Sequence, residues 1–382
     1  MTQVGGEWLS RASTQAVLAM LEQAGNAAFA VGGCVRNALL GAPVADVDIA
    51  TDARPDTVVA LAKAAGLKPV PTGIDHGTVT VVADGIGYEV TTFRADVETD
   101  GRRAVVRFSD TIDEDAARRD FTMNALYADA RGAMRDPLNG LPDLRARRVR
   151  FIRDAGDRIR EDYLRILRFF RFHAWYGDPD EGVDEDALAG IACNLDGLAA
   201  LSAERIGHEI TRLLSAPDPA PSVAVMEQVG VLARVLPGAT SRMLAPLVAL
   251  EESAALPPEP MRRLAVMGFF DARSLRLSKA RQKQLDAYQD LISDSAGYAE
   301  IAYRHGAAMA RDVAALRSAS LGQPLPDDLG AQIAAGAGAK LPIRAQDLMP
   351  AFEGPALGDE LRARERRWIE SGFTLTKADL LK

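Results

Sequence analysis

Two aspartates, Asp46 and Asp48, stand one residue apart in the apolar run "VADVDIAT". On a strand, residues i and i+2 face the same way, so both carboxylates share a face while Val47 and Ile49 take the other. Like charges side by side repel, and a divalent cation would resolve the repulsion. Hard oxygen ligands suit Mg²⁺, which takes one or two carboxylates together with substrate phosphates. A polar edge strand would explain the same residues without a metal. Glu89, in the β-rich run "YEVTTFR", would complete a two-metal site from a neighbouring strand, or would be an ordinary exposed strand glutamate. Upstream, "AFAVGGCVRNALLG" reads as strand, Gly32-Gly33, then helix. Glycines let backbone approach a phosphate, the helix start offers free N–H groups, and Arg36 one turn in could grip a phosphate oxygen pair. A tight strand-to-helix turn with a surface arginine is the plainer alternative. Gly-Gly beside Asp-x-Asp, without a lysine-bearing phosphate loop, points to a nucleoside triphosphate held through metal.

Two further stretches carry polar residues at helical spacing. In "ARRDFTMNALY", Arg118 and Arg119 precede Asp120, and Asn124 follows four residues on, which puts Asp120 and Asn124 on one face of the expected helix. By themselves these would be a salt bridge and a cap. In "EDYLRILRFFRF", Asp162, Arg165, Arg168 and Arg171 recur every third residue, and Leu164, Leu167 and Phe170 form a second row that can face a core. One reading is a solvated basic face with Glu161 paired to Arg165. The other is base recognition. Cytosine and adenine each present an amino donor beside an acceptor, which an aspartate and an arginine can meet. Uracil and guanine put a carbonyl where that amino group should be. From Asp143 to Arg171 there are ten arginines and five acidic residues, a footprint for the phosphates of a nucleotide or of RNA.

The elements that must position these groups change character along the chain. A helix is expected over 11–25, capped by Ser10 or Ser13 and stopped by Gly25. Short strands follow at "AFAV" and "DVDIAT", and a helix over 54–66 begins at Pro55. Two β-runs meet at the Asp84-Gly85 turn. "DEDAARRDFTMNALYAD" reads as helix, and "RGAMRDPLNGLPDLRARRVRFI" as a loop and a short strand. After about residue 155, Ala/Leu/Arg-rich helices take over, broken at "GDPDEG", "SAPDPAPS", "LPPEP" and "LGQPLPDDLG".

Six ordered motifs, GGCVRNALLG, DVDIAT, GTVTVV, RRDFTMNAL, DPLNGLPDL and EDYLRILRFFRF, make the chain resemble the class II tRNA nucleotidyltransferases, the CCA-adding enzymes of the tRNA nucleotidyltransferase/poly(A) polymerase family. The resemblance implies an α+β N-terminal nucleotidyltransferase domain, a polymerase-beta-like mixed sheet with helices, over residues 1–150. It implies an all-α remainder: a neck with a base-recognition helix over 151–220, then a tRNA-binding body and tail over 221–382. Asp46, Asp48 and Glu89 are then catalytic, with Asp46 and Asp48 binding Mg²⁺. Gly32, Gly33, Arg36, Arg119, Asp120 and Asn124 hold the nucleotide, with Asp120 near the ribose. Asp162 and Arg165 read the base, and Arg168 and Arg171 lie toward the triphosphate or the base. CTP and ATP are the implied substrates and tRNA the implied partner. "DPLNGLPDL" resembles the family hinge, "LSAERIGHEITRLL" a structural helix of the body, and "DLMPAFEGPALGDELRARERRWIESGFTLTKADLL" the tail. The polar segment 95–111 is a candidate gate for the change from C to A. Many relatives carry aspartate where this chain has Asn37, so an ionic role at that position is in doubt.

Composition sets limits. A net charge of −8 argues against indiscriminate coating of nucleic acid, though not against a local basic surface. Two cysteines make no disulfide framework, and no Cys/His cluster has zinc spacing. No run of about 18 apolar residues suggests a membrane span and the N-terminus shows no signal pattern, so a cytoplasmic location is expected. The four histidines form no His-Asp dyad. A bacterial poly(A) polymerase, or an A- or C-adding specialist, is the near rival. The stretch "TGIDHGTVTVV" and a C-terminus without a basic tail favour CCA addition. A non-catalytic RNA-binding protein of the same fold is disfavoured by the intact Asp46, Asp48 and Glu89.

Overall fold

The computed structural model describes residues 2–100 and 103–382. The chain forms two compact units, residues 1–235 and 236–382. The first opens with helices α1 (Glu7–Ser10) and α2 (Ala12–Gln23), strand β1 (Ala28–Val31), helix α3 (Gly33–Leu39), strand β2 (Asp48–Thr51) and helix α4 (Pro55–Ala64). Strands β3 (Lys68–Gly73), β4 (Thr78–Ala83), β5 (Ile86–Thr92), β6 (Arg94–Asp100) and β7 (Arg103–Phe108) follow, then α5 (Ile112–Ala117), β8 (Tyr127–Ala128), β9 (Met134–Arg135) and α6 (Leu141–Arg145). Helices α7 (Ala155–Glu161), α8 (Leu164–Tyr176), α9 (Glu185–Ala192) and α10 (Ala203–Leu214) come next, with two more over Ala220–Gln228 and Val231–Val235.

Seven strands form one mixed sheet in the order β3-β4-β5-β2-β1-β8-β9. Only β2 and β5 pair in parallel; the other neighbours are antiparallel. One sheet face is apolar (Ile49, Val79, Val81, Tyr88, Val90) and is covered by α2 and α4. Tyr88 pins this packing, because its hydroxyl lies 2.7 Å from Ser13 Oγ and 3.1 Å from Thr14 Oγ1 on α2. The opposite face is covered where Val31, Ala50 and Tyr127 pack with Ala116 of α5 and with Ile152.

The expected N-terminal helix forms as α2, with the short α1 before it, but neither Ser10 nor Ser13 caps it: Arg11 holds the N-cap position. Ser13 is buried against Tyr88 instead. The Asp84-Gly85 turn forms as expected, with both residues at positive φ, the two-residue hairpin geometry. The segment 94–108 is a separate two-stranded ribbon, β6 with β7. The candidate gate falls on this ribbon, and Gly101 and Arg102 within it lie outside the described residues.

The expected helix over 113–129 is not continuous. It ends at Ala117, makes a single 3₁₀ turn over Thr122–Asn124 and becomes β8. Phe121, Leu126 and Tyr127 are fully buried, and tertiary burial overrides the helical pattern here. The second expected helix also breaks. Asp162 is extended, and its Oδ1 accepts the Leu164 N–H (3.1 Å), so it caps α8 rather than sharing a helical row with Arg165, Arg168 and Arg171.

The second unit is all helical among its described residues, as expected after residue 155. Its interior holds a buried ionic cluster. Glu251 accepts from Arg262 and Arg263, both at 2.7 Å, and Arg262 also reaches Asp312 at 2.5 Å. Removing the charge of Glu251 would leave two buried guanidinium groups short of a partner, a change that costs about 3–5 kcal/mol in comparable sites. Glu251→Gln is therefore expected to lose stability in that range by urea unfolding, and a loss under 1 kcal/mol would contradict this account.

Candidate active site

The site begins at the uncovered part of the sheet. Asp48 and Glu89 are register partners on the parallel pair β2–β5, and Thr80 on β4 is the next partner in the same row. Their side chains therefore lie on one face. Asp46 and Asp48 are exposed while Val47 and Ile49 are buried, which is the alternation read from the sequence, although the strand itself begins only at Asp48. Although Asp48 keeps part of its surface in solvent, surrounding protein displaces water from its carboxyl and raises it from the ordinary carboxylate range, with the charges of Glu89 and Asp46 adding to this against the opposing pull of Arg119. These three carboxylates thus feel one another. Among the described residues, no group of three or more His, Cys, Asp or Glu could hold a metal ion alone. A cation at Asp46 and Asp48 would need further oxygens, which is how Mg²⁺ is commonly shared between one or two carboxylates and phosphates.

Next to this row is the β1–α3 turn. Gly32 sits at φ +73°, ψ −118°, a backbone state that residues with a Cβ rarely adopt. A Cβ there would stand 3.5 Å from Arg119 Nη1 and 3.6 Å from the Asn124 carbonyl. Gly33 begins α3. Cys34 is buried, and its thiol is pushed up to about 11, first by burial and then by the charge of Asp48, so it stays protonated.

Arg36 differs from its expected role. It is buried, and it donates to Asn124 Oδ1 (2.5 Å), Asn37 Oδ1 (2.9 Å) and the Tyr176 hydroxyl (2.8 Å), with its guanidinium 3.9 Å from the Tyr176 ring centre. Its donors are largely spent inside the protein, so it braces α3 against α8. Asn37 takes part as a neutral acceptor and also donates to the Pro43 carbonyl at 2.9 Å.

The other polar groups converge on an open cleft of about 370 Å³, lined by Arg94, Arg118, Arg119, Asp120, Asp162, Leu164, Arg165, Arg168 and Arg205. Arg119 is fixed by Asp115 (3.0 Å) and by the Tyr127 hydroxyl (3.1 Å), which itself donates to Asp115 (2.8 Å). Asp120 accepts from Arg168 Nε (2.8 Å), from Asn124 Nδ2 (2.9 Å) and from the Phe121 N–H (2.8 Å). Asp120 and Asn124 therefore do meet, through a 3₁₀ turn rather than a helix face. Arg165 donates to Glu161 (2.5 Å) and to the Arg158 carbonyl (2.8 Å). Asp162 Oδ2 accepts from Arg205 at 2.7 Å. Asp162 and Arg165 both line the cleft but are held by different partners.

Arg171 is absent from the cleft lining. It is buried, donates to Glu209 at 2.6 Å and stacks on Phe172, so it ties α8 to α10. The regular spacing from Arg165 to Arg171 does not separate these fates, because rows three apart rotate around the helix.

Sequence reasoning named Arg118 without giving it a role and missed Arg205, Asp115 and Arg158. Asp115 was accessible, since it stands three and four residues before Arg118 and Arg119 on α5. Arg205 was not, because it meets Asp162 across 43 residues. Buried Arg158 donates to the Arg118 and Arg119 carbonyls and so supports the cleft wall from behind.

Residues 28–150 match the family described as Poly A polymerase head domain, and residues 182–243 match "Probable RNA and SrmB- binding site of polymerase A". Residues 28–150 are thus similar to the head domain of that family, and residues 182–243 to its RNA-binding segment. It is 43% identical over 185 residues to the mouse (Mus musculus) mitochondrial CCA tRNA nucleotidyltransferase 1, covering 48% of this chain and 43% of that protein. It is 40% identical over 224 residues to the CCA-adding enzyme of Geobacillus thermodenitrificans, covering 58% and 54%. The chain thus spans about half the length of these curated relatives. Among solved structures, the Bacillus stearothermophilus CCA-adding enzyme in complex with CTP is similar at 28% identity and TM-score 0.72, over 94% of this chain and 92% of that one. The Thermotoga maritima CCA-adding enzyme complexed with tRNA shares the fold at 18% identity and TM-score 0.70, over 100% and 98%.

Asp120 supplies a test of the cleft wall. Burial alone would raise its carboxyl, but Arg168, Asn124 and the Phe121 N–H outweigh it and hold the group well below the ordinary range; Asp115 is lowered too, against burial, by Arg119 and Arg118. The unfolded chain binds these protons near pH 4 and the folded chain does not. Stability from both groups is therefore complete above about pH 4 and drains away as pH falls through the lower folded values. Asp120→Asn is expected to cost about 2–3 kcal/mol at pH 7, below the full buried-pair figure because Arg168 is partly exposed, and to flatten the acid limb. Urea titrations at several pH values give both quantities.

Proposed function

We propose that this protein adds C, C and A to the 3′ end of tRNA without a nucleic-acid template, using CTP and ATP and releasing pyrophosphate. The observation that carries the reading is the row of Asp48 and Glu89 in register, with Asp46 beside it, next to an arginine-lined cleft that also contains Asp162 and Arg165. The head-domain match over residues 28–150 and the CCA-adding names of similar proteins support the same reading. Reading residues 1–150 as a head domain, 151–220 as a neck and 221–382 as body and tail belongs to this proposal, as does a cytoplasmic location. Among the described residues no helix is long and apolar enough to cross a membrane.

In this reading the 3′-hydroxyl of the RNA attacks the α-phosphate of the bound nucleotide in line. Asp46 and Asp48 would hold divalent metal, Mg²⁺ by its preference for hard oxygens, with Glu89 as the third carboxylate. When bound, the metal supplies a stronger nucleophile and neutralises charge on the pyrophosphate. Their mutual repulsion, which adds to loss of water in raising the Asp48 carboxyl, is the feature a cation would relieve. The open backbone at Gly32 and Gly33 leaves room for phosphates, and Arg119 reaches toward them from its bracing on Asp115 and Tyr127. Asp162 accepts from the amino group of cytosine or adenine, and Arg165 donates to the neighbouring ring acceptor. Asp120 would accept from the ribose while held by Arg168 and Asn124. Arg36, Asn124 and Arg171 support the site from inside the fold.

The test is incorporation into a tRNA transcript lacking its 3′ end, with each nucleoside triphosphate alone and in pairs. Addition of two C and one A, with U and G refused, is the expected result. A long A-only ladder would indicate a poly(A) polymerase instead. Asp48→Asn is expected to cut incorporation by at least about 100-fold with RNA affinity unchanged. Arg165→Ala is expected to relax selection against U and G by about 10–100-fold. Full C/A selectivity in that variant would refute the base-reading assignment.

A further inference from the structure

Outside the nucleotide cleft, the segment from Arg131 to Arg153 carries seven arginines and two aspartates, in a chain whose net charge is −8. Both aspartates are spent internally. Asp136 accepts the Gly140 and Leu141 N–H groups at 2.7 and 2.9 Å. Buried Asp143 accepts from the Thr122 hydroxyl (2.7 Å) and from Arg150 (2.9 Å). Arg131, Arg135, Arg147, Arg148 and Arg153 are exposed, and among the described residues none of them has an ion-pair partner. The burial pattern turns them outward, because Leu144, Val149, Phe151 and Ile152 anchor the same segment in the core. Arg147 and Arg153 hold φ of +49° and +62°, a state that is costly for residues with a Cβ. Among the described residues Arg153 shares a pocket with Asp184 and Asp186 without an ion pair to either, and like charges gathered in one segment do not by themselves stabilise a fold.

The strip leads to the cleft. The Thr122 N–H donates to the Arg150 carbonyl and the Ile152 N–H to the Asp120 carbonyl, both at 3.0 Å, so residues 150–152 lie beside residues 120–122. Arg119 and Asp120, at the end of that neighbour, line the cleft. We infer that the Arg131–Arg153 strip is a phosphate-binding surface for the backbone of an RNA whose 3′ end lies in the nucleotide cleft. This rests on the activity proposed above. RNA is favoured over an acidic peptide because only a polyanion running on from the cleft uses both features at once. Unpaired arginines on a rigid support suit contacts to phosphate, which are independent of sequence.

The experiment uses the full chain with Arg147, Arg148 and Arg153 all changed to alanine, and a parallel variant with all three changed to lysine. None of these residues lines the cleft. Binding of a tRNA transcript lacking its 3′ end is titrated across salt concentrations, alongside an acidic peptide and anionic vesicles. In the alanine variant the RNA dissociation constant should rise about tenfold or more near 0.1 M salt, and the log–log salt slope should fall by about 2–3. The KM for CTP and the thermal midpoint should be unchanged, and the lysine variant should stay within about threefold of wild type. Unchanged RNA affinity and slope in the alanine variant would overturn the proposal, as would a loss confined to the peptide or the vesicles. A wild type that adds CCA while the alanine variant binds as wild type would defeat the strip alone. A wild type whose RNA binding depends on the strip but which adds no nucleotide would defeat the activity reading and leave the strip standing.

Discussion

The structure of the first unit depends on counter-charge. Arginines are gathered around one cleft, and Arg118, Arg119, Arg165, Arg168 and Arg205 are each held there by a carboxylate. Asp115 holds Arg118 and Arg119, Asp120 holds Arg168, Glu161 holds Arg165 and Asp162 holds Arg205. Behind the cleft, Glu209 does the same for Arg171. Burying charges is costly unless they are paired and hydrogen-bonded, and a pair that loses one member costs more than it ever contributed. The pairing therefore acts chiefly on geometry. It fixes guanidinium groups that would otherwise repel, and fixed donors are what a developing negative charge can use without reorganisation.

The sheet solves the opposite problem, that of bringing carboxylates together. Parallel pairing of β2 with β5 makes Asp48 and Glu89 direct neighbours. A slip of one residue would turn Glu89 into the helix-covered face and bring Tyr88 or Val90 out. The Tyr88 hydroxyl on Ser13 and Thr14 resists that slip, so a polar contact on the covered face sets the geometry of the open one. The two halves of the site meet electrostatically at Arg119, whose charge opposes the rise in the Asp48 carboxyl.

The second unit is likewise organised around internal counter-charge. Its ionic cluster at Glu251 is matched by an aromatic cluster of Tyr303, Trp368 and Phe373, with ring centres 5.0–5.8 Å apart. In the tail segment a helix carrying Arg362, Arg364, Arg366 and Arg367 forms over Gly354–Glu370. Arg362 and Arg364 are engaged with Asp359 and Glu360 on that helix, while Arg366 and Arg367 are exposed. Half of its apparent basic face is thus neutralised locally, and pairs of this kind contribute only a few tenths of a kcal/mol.

The sequence by itself determined the elements whose pattern is local. The alternation of Asp46, Val47, Asp48 and Ile49, the Asp84-Gly85 hairpin, the helix beginning at Pro55 and the helical second half were all legible, because strand and helix periods and turn residues act over a few positions. It also named Arg119, Asp120, Asp162, Arg165 and Arg168, which line the cleft. What each does there was decided by partners distant in the chain. Arg36 lost its expected freedom to Asn124 and Tyr176, Arg171 was withdrawn to Glu209, and Asp162 left the helical row to cap α8 and meet Arg205. Arginines three apart on a helix look equivalent in sequence. Only the packed structure separates them, because the energy of a charge depends on what has replaced the water around it.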